Sequence, residues 1–241
     1  MTSSVSFVGR RKEIDELRHA YAERRHVLLV GPAGIGKTAL LRHAQNQLRM
    51  VFCEETSSMR RICESLERHF GWTHRNMNVI ERKNRLLPHL ARCAEPVTLD
   101  SVALTPPRLA HFVYQLMERI PVWIACGSAQ PKDIGAVWQH LFSFRVVQLV
   151  PLALSETAIL VQSAVDSGRV PTSTKNHTPL LHRLSRGNPR VLEELLIELS
   201  SREYHLDALF GRKLLELDRR IHVATTLATA QMSDTSNRSL Q

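Results

Sequence analysis

Eight residues, Gly31-Pro-Ala-Gly-Ile-Gly-Lys37-Thr38, narrow the folds open to this chain more than any other stretch. They follow the pattern G-x-x-x-x-G-K-[ST] and stand between a solid apolar run and an amphipathic one. His26 to Val30 reads as a compact buried strand, and Leu40, Leu41 and Ala44 mark one face of a helix over Thr38 to Leu48. Glycines at 31, 34 and 36 let the backbone wrap with its N–H groups inward, forming an anion cradle that the dipole of the following helix reinforces. In such a cradle Lys37 reaches the β- and γ-phosphates of a nucleotide, and the Thr38 hydroxyl ligates Mg²⁺. Pro32, Ala33, Gly34, Ile35, Gly36 and Ala39 complete the nucleotide-binding stretch. A plain glycine turn with an exposed lysine is the competing reading, and the strand before and helix after weigh against it.

The rest of the chain alternates between helical spacing and short β-type runs, as expected of a parallel sheet covered by helices on both faces. Ile14, Leu17 and Tyr21 share one face of a helix over Lys12 to Arg24. Met59, Ile62, Cys63, Leu66 and Phe70 mark another, opened by Ser57 and Ser58, and a third is expected over Asn78 to Ala94. Further strands are expected at Met50 to Cys53, Val97 to Val102, Val122 to Cys126 and Phe144 to Leu149. A helix carrying Leu109, Phe112, Val113, Leu116 and Met117 precedes Val122, and one over Asp133 to Leu141 precedes Phe144. After Pro151 the β signal disappears. Helices over Ser155 to Asp166, His177 to Leu184 and Asn188 to Ser201 follow, with weaker helix to about Thr229. A domain boundary is placed near Val150, and the polar ending at 232–241 reads as a disordered tail.

The 241 residues are 43% hydrophobic and 23% charged, which are globular proportions that exclude a disordered or fibrous chain. No apolar run approaches the ~20 residues of a membrane span. The first ten residues lack the pattern of a secretory signal, so the expectation is a soluble, cytoplasmic protein with no membrane partner. Four scattered cysteines without a C-x-x-C pair read as reduced, mostly buried thiols. The net charge of +9 makes contact with nucleic acid worth testing. More than half of it falls in the first 50 residues, chiefly at Arg10, Arg11, Lys12, Arg18, Arg24 and Arg25.

A nucleotide site of this kind also needs a carboxylate on a neighbouring strand to hold the metal, and Pro96-Val-Thr-Leu-Asp100 offers Asp100 at its strand's end. A turn aspartate is the competing reading. The next residue is Ser101, and serine is no general base at neutral pH without a partner.

These residues resemble the AAA+ P-loop ATPases, in the branch shared by STAND-type signalling ATPases and origin-recognition or transposition-type loaders. Phe7-Val8-Gly9-Arg10, followed by an amphipathic helix, is similar to the box whose backbone lies against adenine in that family. Val122 to Ser128 resembles a sensor 1 strand, with Ser128 facing the γ-phosphate. Phe144 to Leu149 followed by Pro151-Leu152 is similar to the last core strand running into the lid. Gly187-Asn-Pro-Arg190 resembles sensor 2. The resemblance implies an α/β fold with a five-stranded parallel sheet ordered 5-1-4-3-2. It also implies a nucleotide-binding core over 1–150, an all-helical lid over 151–203 and a helical extension over 204–231. Arg190 is open to a second reading, a surface ion pair with Glu194 or Glu193. Arg145 is either an arginine finger toward a neighbouring subunit or a solvated strand-edge residue.

Three functions remain open on this reading. The first is an ATP-binding module using Mg²⁺, with slow hydrolysis driving a conformational or assembly switch and self-association in the ATP state. Lys37, Asp100, Ser128 and Arg190 would carry its chemistry, and Thr38 and Asp100 its metal. Slow turnover is expected because hydrolases of this class carry a second acid where Ser101 stands. The second is a DNA-associated loader or transposition regulator using the basic N-terminal region. The third is a pseudo-ATPase serving as an interaction scaffold. The preference for ATP over GTP rests on the resemblance alone.

Overall fold

The computed structural model describes residues 8–72, 77–201, 204, 206, 208, 209 and 211–221. Expectations about Phe7 and about the chain beyond residue 221, including the tail at 232–241, lie outside the described residues. The chain divides into two compact units, 1–150 and 151–241.

The first unit is built on five parallel strands, β1 (Val27–Val30), β2 (Val51–Cys53), β3 (Val97–Val102), β4 (Val122–Cys126) and β5 (Arg145–Gln148). Their order across the sheet is β2-β3-β4-β1-β5, which is 5-1-4-3-2 read from the opposite edge. Successive side chains of a strand face opposite sides, so each strand feeds two cores. Leu28, Leu99 and Ile124 point to one side, where they meet Ile62 and Leu66 of α3 (Met59–His69), Leu86 and Leu90 of α4 (Val79–Leu90), and Phe112 and Leu116 of α5 (Pro107–Met117). Leu29, Trp123 and Val147 point to the other. There they pack with Leu17 and Ala20 of α1 (Arg11–Ala22) and Leu40, Leu41 and Ala44 of α2 (Lys37–Gln45). Burial on both faces is why these strands read as solid apolar runs rather than alternating ones.

Side-chain caps open two of the described helices of this unit. The Asn78 carboxamide oxygen accepts the Ile80 and Glu81 N–H groups, each at 3.0 Å, and the Glu81 carboxylate accepts the Asn78 N–H at 2.9 Å. Ser58 caps α3 by accepting the Arg61 N–H.

The expected helix over Asp133 to Leu141 is not one helix. A single turn, α6 (Pro131–Ile134), is followed by Gly135 and then a 3-10 segment over Ala136–Ser143. Gly135 has φ +76° and ψ −153°, a region open essentially to glycine alone. Its backbone bridges Thr105, so closely that a β-carbon there would stand 2.4 Å from the Thr105 nitrogen. That packing breaks the helical periodicity.

The second unit is helical: α7 (Leu154–Asp166), a 3-10 turn over Thr172–His177, α8 (Thr178–Ser185), α9 (Pro189–Ser201) and a helix over 211–221. Val161, Leu181, Leu192, Leu195, Leu196 and Leu215 form its core. Among the described residues, no helix is long and apolar enough to cross a membrane.

Candidate functional site

At its carboxyl end β1 runs into the glycine loop, where the Gly31 N–H donates to the Cys126 carbonyl at the end of β4 (3.3 Å). Gly34 and Gly36 take φ of +77° and +101°, which lets the chain turn sharply into α2. Ile35 is buried beneath the loop, and Pro32, Ala33 and Ala39 are exposed. Lys37 folds back over the loop, its Nζ donating to the carbonyls of Gly31 (2.6 Å) and Pro32 (3.0 Å). Partial burial holds its pKa below the ordinary lysine value, with Cys126 and Asp100 pulling the other way. The Cys126 thiol is pushed up to about 11, chiefly by burial and against the nearby Lys37.

Thr38 and Asp100, 62 positions apart in sequence, meet directly: Thr38 Oγ1 donates to Asp100 Oδ2 at 2.7 Å. Asp100 is only 4% exposed, and its other carboxylate oxygen accepts the Ser101 N–H at 2.9 Å. The arrangement presents a hydroxyl at the amino end of α2 and a carboxylate near the carboxyl end of β3, both hard oxygen donors. That donor set suits Mg²⁺, which takes few protein ligands and keeps several waters. Among the described residues no group of three His, Cys, Asp or Glu gathers into a denser cage.

β3 runs over Val97–Val102, the bounds expected for it, with Asp100 two residues before its end; its register against β4 slips between Leu99 and Val102, a β-bulge that sets Asp100 and Ser101 opposite one residue. Ser101 is exposed and held in the left-handed region at φ +54°. An L-residue is strained there by about 1 kcal/mol. Ser101→Gly is therefore expected to raise stability by about 0.5–1 kcal/mol in urea unfolding.

Ser128 lies half-buried two residues beyond β4, with its Oγ accepting the Gln130 N–H at 3.1 Å. Val8 and Gly9 are half-buried at the start of the described chain. Arg190 belongs to the second unit, at the second position of α9. Its side chain is 73% exposed and its Nε lies 3.3 Å from Glu194, the i,i+4 pair that competes with a phosphate-sensing role. Arg145 begins β5, exposed, paired in register with Val27 at the amino end of β1. About 13 Å of strand separate that level from the glycine loop, so Arg145 does not join the site of its own unit.

One residue counted with the basic surface belongs elsewhere. Arg10 is 6% exposed, pairs with Glu13 at 3.1 Å and donates to the Ile35 carbonyl at 3.2 Å, tying the N-terminal box to the glycine loop. Its neighbours in the run, Arg11 and Lys12, gave no hint, since the partner carbonyl lies 25 positions away. Arg10→Met should cost about 2 kcal/mol of stability in the same unfolding assay, because it strips a charged donor from one buried and one half-buried acceptor. Arg11, Lys12, Arg24 and Arg25 do lie exposed, while Arg18 is engaged by Asp15 and Gln47.

Residues 6–103 match the AAA ATPase domain family. That stretch, which includes the glycine loop and Asp100, is similar in sequence to an AAA ATPase domain. Solved structures share the fold of this chain at low identity. Cdc6p from Pyrobaculum aerophilum aligns with a TM-score of 0.63 at 17% identity, over 82% of this chain and 64% of its own. The Aeropyrum pernix ORC1 protein, solved in complex with DNA, aligns with a TM-score of 0.62 at 15% identity, over 91% of this chain and 66% of its own. A STAND protein with a tetratricopeptide repeat sensor from Pyrococcus horikoshii aligns with a TM-score of 0.53 at 17% identity, over 88% of this chain and 32% of its own. The chain thus spans less than two thirds of the length of these three structures. Among curated proteins, none matches its sequence.

Proposed function

We propose that this AAA+ domain binds ATP with Mg²⁺ at the glycine loop and hydrolyses it slowly, as a switch between nucleotide-dependent conformations or assemblies. The observation that carries the reading is the 2.7 Å hydrogen bond between Thr38 and Asp100, which joins the two expected metal-holding groups in one half-buried contact. When bound, Mg²⁺ would neutralise phosphate charge between these oxygens. The chain's own residues supply the rest. The backbone N–H groups of Gly34 to Thr38 cradle phosphate at the start of α2. Lys37 exchanges two loop carbonyls for phosphate oxygens, a short swing for an ammonium already held at the loop. Ser128 orients polar groups at the exit of β4, and a γ-phosphate-sensing role for Arg190 belongs to the same proposal.

Slow turnover follows from position 101. Its serine offers no carboxylate, and the left-handed bulge gives that residue a direction a regular strand would not. This feature also favours the scaffold reading, in which nucleotide is bound but not consumed. The DNA-associated reading is supported by the exposed Arg11, Lys12, Arg24 and Arg25 and by the likeness to an ORC1 protein solved with DNA. Self-association in the ATP form belongs to the same proposal, as does a location in the cytoplasm.

Steady-state turnover of the wild type, Lys37→Ala and Asp100→Ala, with and without duplex DNA at two salt concentrations, separates these readings. Slow turnover lost in both variants and indifferent to DNA supports the switch. Stimulation by DNA with a steep salt slope supports the loader. ATP binding with no turnover under any condition supports the scaffold.

A further inference from the structure

The ladder between β2 and β3 ends at the pair Cys53 and Leu99, so the carbonyl of Asp100 lies one residue past the last paired position. It is also the carbonyl of a buried residue at the start of a bulge, where strand hydrogen bonding on the other side is interrupted as well. A buried carbonyl in that position needs a donor from elsewhere. Thr56 provides one: it is 8% exposed, sits three residues beyond β2, and its Oγ1 donates to the Asp100 carbonyl at 2.8 Å.

We propose that Thr56 is a positioning residue for the metal-holding carboxylate. Its hydroxyl anchors the Asp100 main chain while the Ser101 N–H and the Thr38 hydroxyl fix the two carboxylate oxygens. Three hydrogen bonds thus hold one residue from three directions, and they hold it next to a non-glycine residue at φ +54°. A left-handed bulge persists only where its surroundings over-determine it. Thr38 acts from the loop helix and the Ser101 N–H from the bulge itself; Thr56 alone of the three comes from the segment that follows the edge strand β2. Without it the Asp100 peptide is free to rotate about the bulge, and the carboxylate turns with it. Thr56 touches neither nucleotide nor metal in this account and acts only through Asp100.

The inference rests on the proposed Mg²⁺–ATP site, and the experiment distinguishes the two. ATP affinity is measured by calorimetry in Mg²⁺ and in EDTA for the wild type, Thr56→Val, Thr56→Ser and Asp100→Asn, each first checked for a folded thermal transition. Thr56→Val keeps the shape and removes the donor. It is expected to reduce the gain in affinity conferred by Mg²⁺ by about 10-fold, the size of one lost hydrogen bond that leaves a buried carbonyl without its donor, and to leave affinity in EDTA within 2-fold of wild type. Thr56→Ser keeps the hydroxyl and should restore most of the Mg²⁺ gain, which a merely structural role for the methyl group would not predict. An Mg²⁺ gain unchanged in Thr56→Val but lost in Asp100→Asn overturns the role of Thr56 and leaves the site reading standing. If Asp100→Asn also retains the full gain, the site reading itself fails. Should Thr56→Val not fold, a Thr56→Ser variant that folds yet behaves like Asp100→Asn would contradict the proposal equally.

Discussion

Lys37→Ala weakens ATP binding by about 100-fold, with the fold intact. The ammonium is expected to make charge-assisted bonds to phosphate, and losing them amounts to roughly 3 kcal/mol. In the structure the same group bridges the Gly31 and Pro32 carbonyls, both at the mouth of the loop. Water can replace it there, so the thermal transition should move little. Equilibrium dialysis or calorimetry with ATP reads the first quantity and differential scanning fluorimetry the second. A variant that binds ATP as the wild type does would remove Lys37 from the site. A variant that no longer folds would show that the lysine's structural bonds dominate, and Lys37→Arg, which keeps the charge, would then separate the two roles.

The second large effect is at Asp100. Asp100→Asn preserves size and can still accept the Ser101 N–H, and its amide can donate to Thr38 Oγ1 in place of the bond that Oδ2 accepts in the wild type. It removes the negative charge that a hard cation needs, and should lower the Mg²⁺ enhancement of ATP binding by about 30-fold with a small change in stability. Asp100→Ala differs in kind. It leaves the Thr38 hydroxyl and the Ser101 N–H without their acceptor at a site 4% exposed, and should cost about 2 kcal/mol of stability as well. Comparing the two variants in urea unfolding and in Mg²⁺ titration separates charge from architecture. Equal stability of Asn and Ala variants would mean that the carboxylate's hydrogen bonds contribute nothing to the fold.

The sheet was legible because its strands are buried on both faces. Val27 to Val30 and Val122 to Cys126 are solid apolar runs, and the resemblance carried by the glycine loop implied the strand order that the structure shows. What escaped the sequence was set by contacts at long range. Gly135 splits an expected helix because it lies against the Thr105 backbone, a neighbour 30 positions back that no local periodicity encodes. Arg10 sits in a run of three cations that reads as solvated charge, yet its guanidinium is enclosed by Glu13 and the loop. Thr56 falls in a polar stretch, Glu54 to Ser58, whose residues all look like loop surface; its role depends on where the β2–β3 ladder stops. The Ser101 bulge was equally hidden, because a strand written Val-Thr-Leu-Asp-Ser-Val carries no glycine to announce a positive φ. In the site the residue types were readable one by one, whereas the hydrogen bonds that join them came only with the fold.

Calorimetric titration of the wild-type protein with ATP, once in Mg²⁺ and once in EDTA, tests the central claim most directly. The account predicts saturable binding at a single site in both, tighter by at least about 30-fold in Mg²⁺ and weakened about 100-fold by Lys37→Ala. Binding that is indifferent to both Mg²⁺ and Lys37, or absent altogether, would contradict it.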